Sequence, residues 1–376
     1  MSRKTQSVSV KPDVLEWVRQ SSGLTPEEAS TRLSVSVSSV LRWENGERSP
    51  TFKQVQKMAK VYKRPSAAFF LPKPAKEREL PPDFRRLFGE PREFTSKTLL
   101  AIRKARYLQA ISSDLMVNLD HETDVDARGA NIRINPELVA DAERDRTGIS
   151  TEKQKAWKSF SEALNKWRQY VEERNINVFQ FSMELDELRG LTLMDATPFA
   201  IVLNSSDLIQ ARIFTLLHEY GHILLHEPAL CTPVDPTTKG HGQHFETWCN
   251  RFAAAFLIPS ESVKEDCSEL GPSAFVRIAK QYKVSSFAML TRLVELELIS
   301  RLEYEQRVTE LRHRSVDKRR SGGGGETSAQ RARRERGEGF VSLVLKNSER
   351  EHITYSDALD YLDIKTKHMK ELTSPM

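Results

Sequence analysis

Apolar residues recur at helical spacing through most of this chain, and at strand spacing only over a short central stretch. Within residues 1–72 the pattern divides into four short helices. Pro12 opens the first, Val14, Leu15, Trp17 and Val18 give it an apolar face, and Gly23 ends it. Thr25 is placed to cap the second, with Pro26 at its first position and Glu28 as the partner of a capping box. Leu33, Ser34 and Val35 make a tight turn into a third helix over 36–45, which Gly46 stops. A fourth runs over 51–62.

A charged connector follows, with Pro72, Pro74, Pro81 and Pro82 marking the first boundary. Beyond it the pattern predicts helices over 95–119 and 136–173, then three strands over 177–183, 188–194 and 199–203. A long apolar helix over 207–226, a loop rich in Gly, Pro and His, and a helix over 246–257 closed by Pro259 come next. Residues 273–299 have a helix-turn-helix rhythm and are read as a helical cap on the preceding core. Four glycines interrupt residues 321–327, and the tail offers a strand-like run over 340–346 and a helix after Thr354. Helices, a small sheet and more helices make an α+β chain. The divisions expected are an all-α helix-turn-helix bundle at 1–72, a connector at 73–94, a main domain at 95–311, a basic Gly-rich linker at 312–338 and a small region at 339–376.

Composition narrows the class. The chain has 376 residues, 39% of them hydrophobic and 29% charged, so it buries a real core. Cys231, Cys249 and Cys267 are odd in number and lack CxxC spacing, which suits a reducing compartment. No apolar run approaches the roughly 20 residues of a membrane span, and Met1 to Lys11 lack the apolar segment of a signal peptide, so a cytoplasmic location is expected. The net charge of +5 is unevenly spread. Residues 1–72 and 312–336 each carry +6, which leaves about −7 elsewhere. Polyanion binding is therefore assigned to the head at most, and to the 312–336 segment only as a minor reading beside that of a solvated linker.

The chemistry is concentrated in the acidic middle. His218 and His222 stand one turn apart on one helix face, the separation two imidazoles need to share a metal ion. Glu219 lies about 100° round the helix, placed to take a proton from a water the metal activates and to return it to a leaving amine. The flanking residues Ile213, Phe214, Leu216, Leu217, Ile223, Leu224 and Leu225 make the helix apolar nearly all round, so these polar groups must be satisfied inside the protein. A catalytic zinc needs a third protein ligand. Position 228, where a metzincin would have histidine, is Pro228; Glu246, 24 residues after His222 at the start of the next helix, is the candidate, and Asn250 one turn on is placed to orient a ligand. His226, His241, His244 and Cys249 stay open as further ligands or donors, though each reads more simply as a loop or core residue. The 199–203 strand leads into this helix, and a peptide substrate could add to it were it an edge.

The run Arg212-Ile-Phe-Thr-Leu-Leu-His-Glu-Tyr-Gly-His-Ile-Leu-Leu-His226, followed by Glu246-Thr-Trp-Cys-Asn-Arg-Phe-Ala-Ala-Ala-Phe-Leu-Ile-Pro259, resembles the ImmA/IrrE family of bacterial metallopeptidases. Trp43-Glu44-Asn45-Gly46, Pro50-Thr51-Phe52, Arg64-Pro65, Phe69-Phe70-Leu71-Pro72 and Asp83-Phe84-Arg85 are similar to the Xre-type helix-turn-helix fused to many members. The resemblance implies a zincin-like, gluzincin-type domain in which His218, His222 and Glu246 bind Zn2+ and Glu219 is the catalytic base. It implies a protein substrate too, a helix-turn-helix repressor or an antitoxin-like regulator whose cleavage switches gene expression. In the N-terminal module Ser36, Ser38, Ser39 and Arg42 are the candidate DNA contacts. No Gln, Asn or Lys stands in the first turn to read bases bidentately, so a protein-docking role is the alternative there. For the whole chain, the competing reading is a DNA-binding transcriptional regulator whose metal site is structural or sensory.

Overall fold

The computed structural model describes residues 7–62, 64, 66–76, 94–127, 129–226, 230–231, 243–315 and 326–373. The chain divides into two compact units, Met1–Lys104 and Ala105–Met376.

In the first unit, α1 (Pro12–Gln20), α2 (Pro26–Leu33), α3 (Val37–Glu44) and α4 (Phe52–Val61) enclose a core of Leu15, Val18, Leu33, Val40, Trp43, Val55 and Met58. The capping box at Thr25 and Glu28 forms, and Ser34 turns the chain with a left-handed φ of 53°. Arg19 of α1 grips both carboxylate oxygens of Glu44 of α3 at 2.8 Å, fixing the first helix against the third. Trp43 is buried in the core, while Trp17 packs at its margin beneath the Arg64 guanidinium. This unit extends into the start of α5 (Ser96–Val117), where the Ser96 hydroxyl donates to Gly23 O at 2.6 Å and Arg103 donates to Tyr62 O at 3.1 Å.

The second unit is built on a sheet in the order β1 (Ile176–Phe181), β3 (Phe199–Asn204), β2 (Gly190–Leu193), β4 (Leu230–Cys231). β1 runs parallel to β3, whereas β2 is antiparallel to both β3 and β4. β3 is therefore an interior strand, and the thought that a peptide might add to it as an edge is excluded: both its sides are already paired.

Three helices precede the sheet where one long helix over 136–173 was expected: α6 (Pro136–Thr147), α7 (Thr151–Ala156) and α8 (Phe160–Glu172). Gly148 ends the first, and the Ser150 and Ser159 hydroxyls each accept a backbone N–H to start the next two. α9 (Ile209–Leu225) packs against β2, β3, α8 and α10 (Gln243–Leu257), and every residue from Thr215 to Leu225 is buried. α11 (Ser260–Leu270), α12 (Phe275–Gln281), α13 (Ser286–Glu295) and α14 (Arg301–Ser315) complete this side. Phe275, Ile278, Tyr282, Met289 and Leu293 belong to the same core as α9, so the helix-turn-helix rhythm of 273–299 is that of a helical cap.

The tail departs from expectation. Residues 340–346 are not a strand but part of α16 (Glu338–Glu349), with Phe340, Val341, Val344 and Asn347 buried on one helical face. Residues 328–336, read as linker, form α15 and pack on β1. Their arginines are largely spent internally. Arg336 is buried and donates to Tyr361 O of α17 (Tyr355–Leu362) at 2.7 Å, Arg333 donates to Leu372 O of α18 (Met369–Thr373) at 2.9 Å, and Arg334 pairs with Glu326. A solvated polycation was the wrong picture for this part of the stretch, because carbonyls and carboxylates of the fold take up its guanidinium donors. The glycine run itself lies outside the described residues.

Candidate metal centre

α9 and α10 set the site between them. α10 is anchored along its length: Trp248 donates to Ile134 O at 2.9 Å and stacks on Phe252, and Gln154 of α7 donates to Leu257 O at 3.0 Å. Gly221 of α9 lets the two helices approach, since a Cβ there would meet Cys249 Sγ at 3.2 Å and Phe252 Cδ1 at 3.3 Å. Cys249 is thus buried at the helix crossing.

Across this contact the Nε2 atoms of His218 and His222 lie 3.1 Å apart, and the two oxygens of Glu246 lie 3.2 Å from one imidazole each. One ligating atom from each residue falls within 4.8 Å of the others, the one such group among the described residues. Asn250 Oδ1 is 2.9 Å from His218 Nδ1. With an amide oxygen facing it, Nδ1 carries the proton and Nε2 presents its lone pair to the cluster. Two imidazoles and one carboxylate, all but the last fully buried, form a donor set that fits a divalent cation of borderline softness.

The electrostatics agree with this. Burial would lower His218, yet Glu246 beside it raises it overall. Burial would raise Glu246, but the two imidazoles 3.2 Å from its oxygens hold it well below the usual carboxylate range. Glu219 is 0% exposed, and burial pushes it up to about 8 against the pull of His218 and Thr192. Its Oε2 accepts the Thr192 hydroxyl from β2, while Oε1 is buried with no hydrogen-bond partner. A buried carboxylate with one oxygen unmet and a raised pKa is the kind of group that clusters at functional sites.

His226 caps α9 in an exposed left-handed position and His244 is exposed at the start of α10, so neither joins the cluster; His241 lies outside the described residues. In the N-terminal unit Ser36 is exposed as the N-cap of α3, Ser38 is exposed in its first turn, Ser39 is half-buried and Arg42 is exposed in its last turn. Ser36 Oγ sits 2.9 Å from both Ser38 Oγ and Ser39 Oγ, so the hydroxyls satisfy one another, and Arg42 lies 3.8 Å from Glu47.

Sequence reasoning missed Thr192 and Gly190, which face Glu219 from β2, and Glu143, which accepts Tyr220 Oη at 2.6 Å and Tyr170 Oη at 2.7 Å beneath the site. A glycine in an apolar strand was a usable signal of close approach. A lone glutamate on an amphipathic helix was not.

Residues 171–294 match the family described as the IrrE N-terminal-like domain, and residues 15–69 match a helix-turn-helix family. The chain is similar to the radiation response metalloprotease IrrE of Deinococcus radiodurans, 36% identical over 100 residues that cover 25% of this chain and 30% of that protein. It is also similar to the radiation response metalloprotease IrrE of Deinococcus deserti, 32% identical over 106 residues, 27% of this chain and 38% of that protein. The chain thus spans well under half the length of these curated relatives, and what it carries is an IrrE-like domain behind an N-terminal helix-turn-helix domain.

Proposed function

We propose that this chain is a cytoplasmic zinc-dependent endopeptidase that cleaves another DNA-binding regulator, a helix-turn-helix repressor or an antitoxin-like protein, and so switches gene expression. The convergence of His218, His222 and Glu246 beside the half-satisfied carboxylate of Glu219 carries this reading. His218, His222 and Glu246 would hold the ion, and Asn250 would orient His218. When bound, zinc supplies Lewis acidity and brings the acidity of water towards neutrality. Glu219 holds and moves the proton: Thr192 fixes Oε2, so Oε1 is the atom free to take a proton from the attacking water and pass it to the departing amine. The apolar walls of α9 and α10 keep other water out.

The decisive experiment compares Glu219→Gln with the parent chain for zinc content and for cleavage of helix-turn-helix repressors encoded beside it. Retained zinc with abolished cleavage is the expected result. Retained zinc with an undiminished biological effect sinks the hydrolytic reading. It would support the second one, a DNA-binding regulator with a structural or sensory metal, which the helix-turn-helix match over 15–69 favours. In the reading we prefer, that module localises the peptidase on DNA through the α3 face that bears Ser36, Ser38, Ser39 and Arg42.

A further inference from the structure

At 3.6 residues per turn, the inward positions Val40 and Trp43 of α3 leave Ser38, Leu41, Arg42 and Asn45 on its outer face, with Val37 at the edge. Leu41 is 42% exposed and Val37 is half-buried. The two stand at i and i+4, so their side chains are neighbours and form a short apolar ridge on that face. The hydroxyls beside the ridge are turned to one another. Ser36 Oγ lies 2.9 Å from both Ser38 Oγ and Ser39 Oγ and accepts the Ser39 N–H at 3.2 Å. Arg42 is held by Glu47 at 3.8 Å, an exposed pair that another anion or a base edge displaces at little cost. The unit around the ridge is basic. Residues 1–72 carry +6, and Arg32 at the end of α2, Arg48 and Lys53 are exposed with no carboxylate within ion-pair distance among the described residues.

A helix-turn-helix lays the start of its second helix in the major groove, where the C5-methyl of thymine is the apolar feature of the base edges. We propose that Val37 and Leu41 read thymine methyls, so that the DNA this unit selects is defined by a pair of thymines rather than by bases hydrogen-bonded to the first turn of α3. The inference rests on the reading above in which the module binds DNA. Residues at i and i+4 stand about 6 Å apart along a helix, against a base-pair rise of about 3.4 Å, so the two methyls lie on base pairs within two steps of each other. Arg32, Arg48 and Lys53 supply phosphate contacts, which hold the helix in register without selecting sequence. The charge of +6 favours DNA over a protein as the occupant of the ridge.

The test is selection of duplexes from a random pool by the full chain, followed by fluorescence anisotropy on the selected duplex and on copies in which single thymines are replaced by uracil, all at one salt concentration. Uracil pairs as thymine does and lacks only the methyl. The expected result is a selected site with two thymines at which uracil weakens binding about fourfold, the worth of one buried methyl. Val37→Ala and Leu41→Ala should each become indifferent to uracil at one of these positions and keep the discrimination at the other. Leu41 is exposed, so its variant folds as the parent does, and a melting curve reports on the Val37 variant. Binding without a thymine preference, indifference of the parent chain to uracil at every position, or a Leu41→Ala variant that discriminates as the parent does overturns the methyl readout and leaves the DNA-binding reading standing. Retention of no duplex overturns both and assigns the ridge to a protein partner.

Discussion

Thr192 of β2 donates its hydroxyl to Glu219 Oε2, and the other oxygen of that carboxylate has no partner. A strand residue thereby fixes the rotation of a carboxylate that α9 presents, and it is not itself one of the three residues of the candidate metal group.

Thr192→Val keeps the shape and removes the donor. Turnover should fall about tenfold to a hundredfold, the cost of a misplaced reacting group, with KM and zinc content unchanged. Thr192→Ser should restore most of the loss. Steady-state kinetics beside metal analysis checks this; a Val variant as fast as the parent would show that the bond does not orient the base.

Asn250 should act on the metal rather than on the proton. Its Oδ1 holds His218 Nδ1 at 2.9 Å, so Asn250→Ala is expected to weaken zinc binding by about 10–100-fold. Competition with a chromophoric chelator measures it. The Thr192 and Asn250 variants therefore separate the two halves of the site.

The candidate metal group was legible in the sequence because helical periodicity alone puts His218 and His222 on one face, and the 24 residues to Glu246 left room for the next apolar helix to run back beside them. The short helices of the N-terminal unit were legible from their caps, as Thr25 with Glu28 shows. What was not legible depended on tertiary context. The 340–346 run is rich in strand-formers, but Phe340, Val341 and Val344 find their burial at helical spacing against α8, α15 and α17. The partners of Glu219 and Tyr220 come from β2 and α6, distant in sequence, and no local pattern pairs them. The break of 136–173 into three helices was readable at Gly148, Ser150 and Ser159, where the cap residues outweigh a continuous charged face.

Gly190 is a steric prediction. A Cβ there would lie 2.5 Å from Thr215 Cγ2, 3.0 Å from Glu219 Oε1 and 3.3 Å from Val202 O. Neither the backbone of β3 nor the buried α9 can yield cheaply, so Gly190→Ala should destabilise the fold by about 1–3 kcal/mol. If Glu219 is the base, it should also lower activity beyond the loss of folded protein, because the intruding methyl touches the Glu219 carboxylate. Urea denaturation and specific activity per folded molecule check the two effects; equal stability and activity would mean that the strand moves aside.

Glu143 makes stability depend on pH with a definite sign. Burial alone would raise its carboxyl, but hydrogen bonds from Tyr220, Tyr170 and Arg146 more than offset this and lower it. The folded value therefore lies below that of an unfolded glutamate, about 4.3. Folding free energy from this group is fully present above that pH and is lost as the pH falls through the folded value. Glu143→Gln removes the charge and leaves Arg146 without one of its carboxylate partners, the other being Asp126. It also offers an amide N–H where two tyrosine hydroxyls donate. At neutral pH the variant should be less stable by about 1–3 kcal/mol, and the gap should narrow as the pH is lowered below about 4.3, where the parent loses its advantage. Melting temperatures of both proteins across the acid range test this; a gap that stays constant with pH would mean that Glu143 contributes packing and not charge.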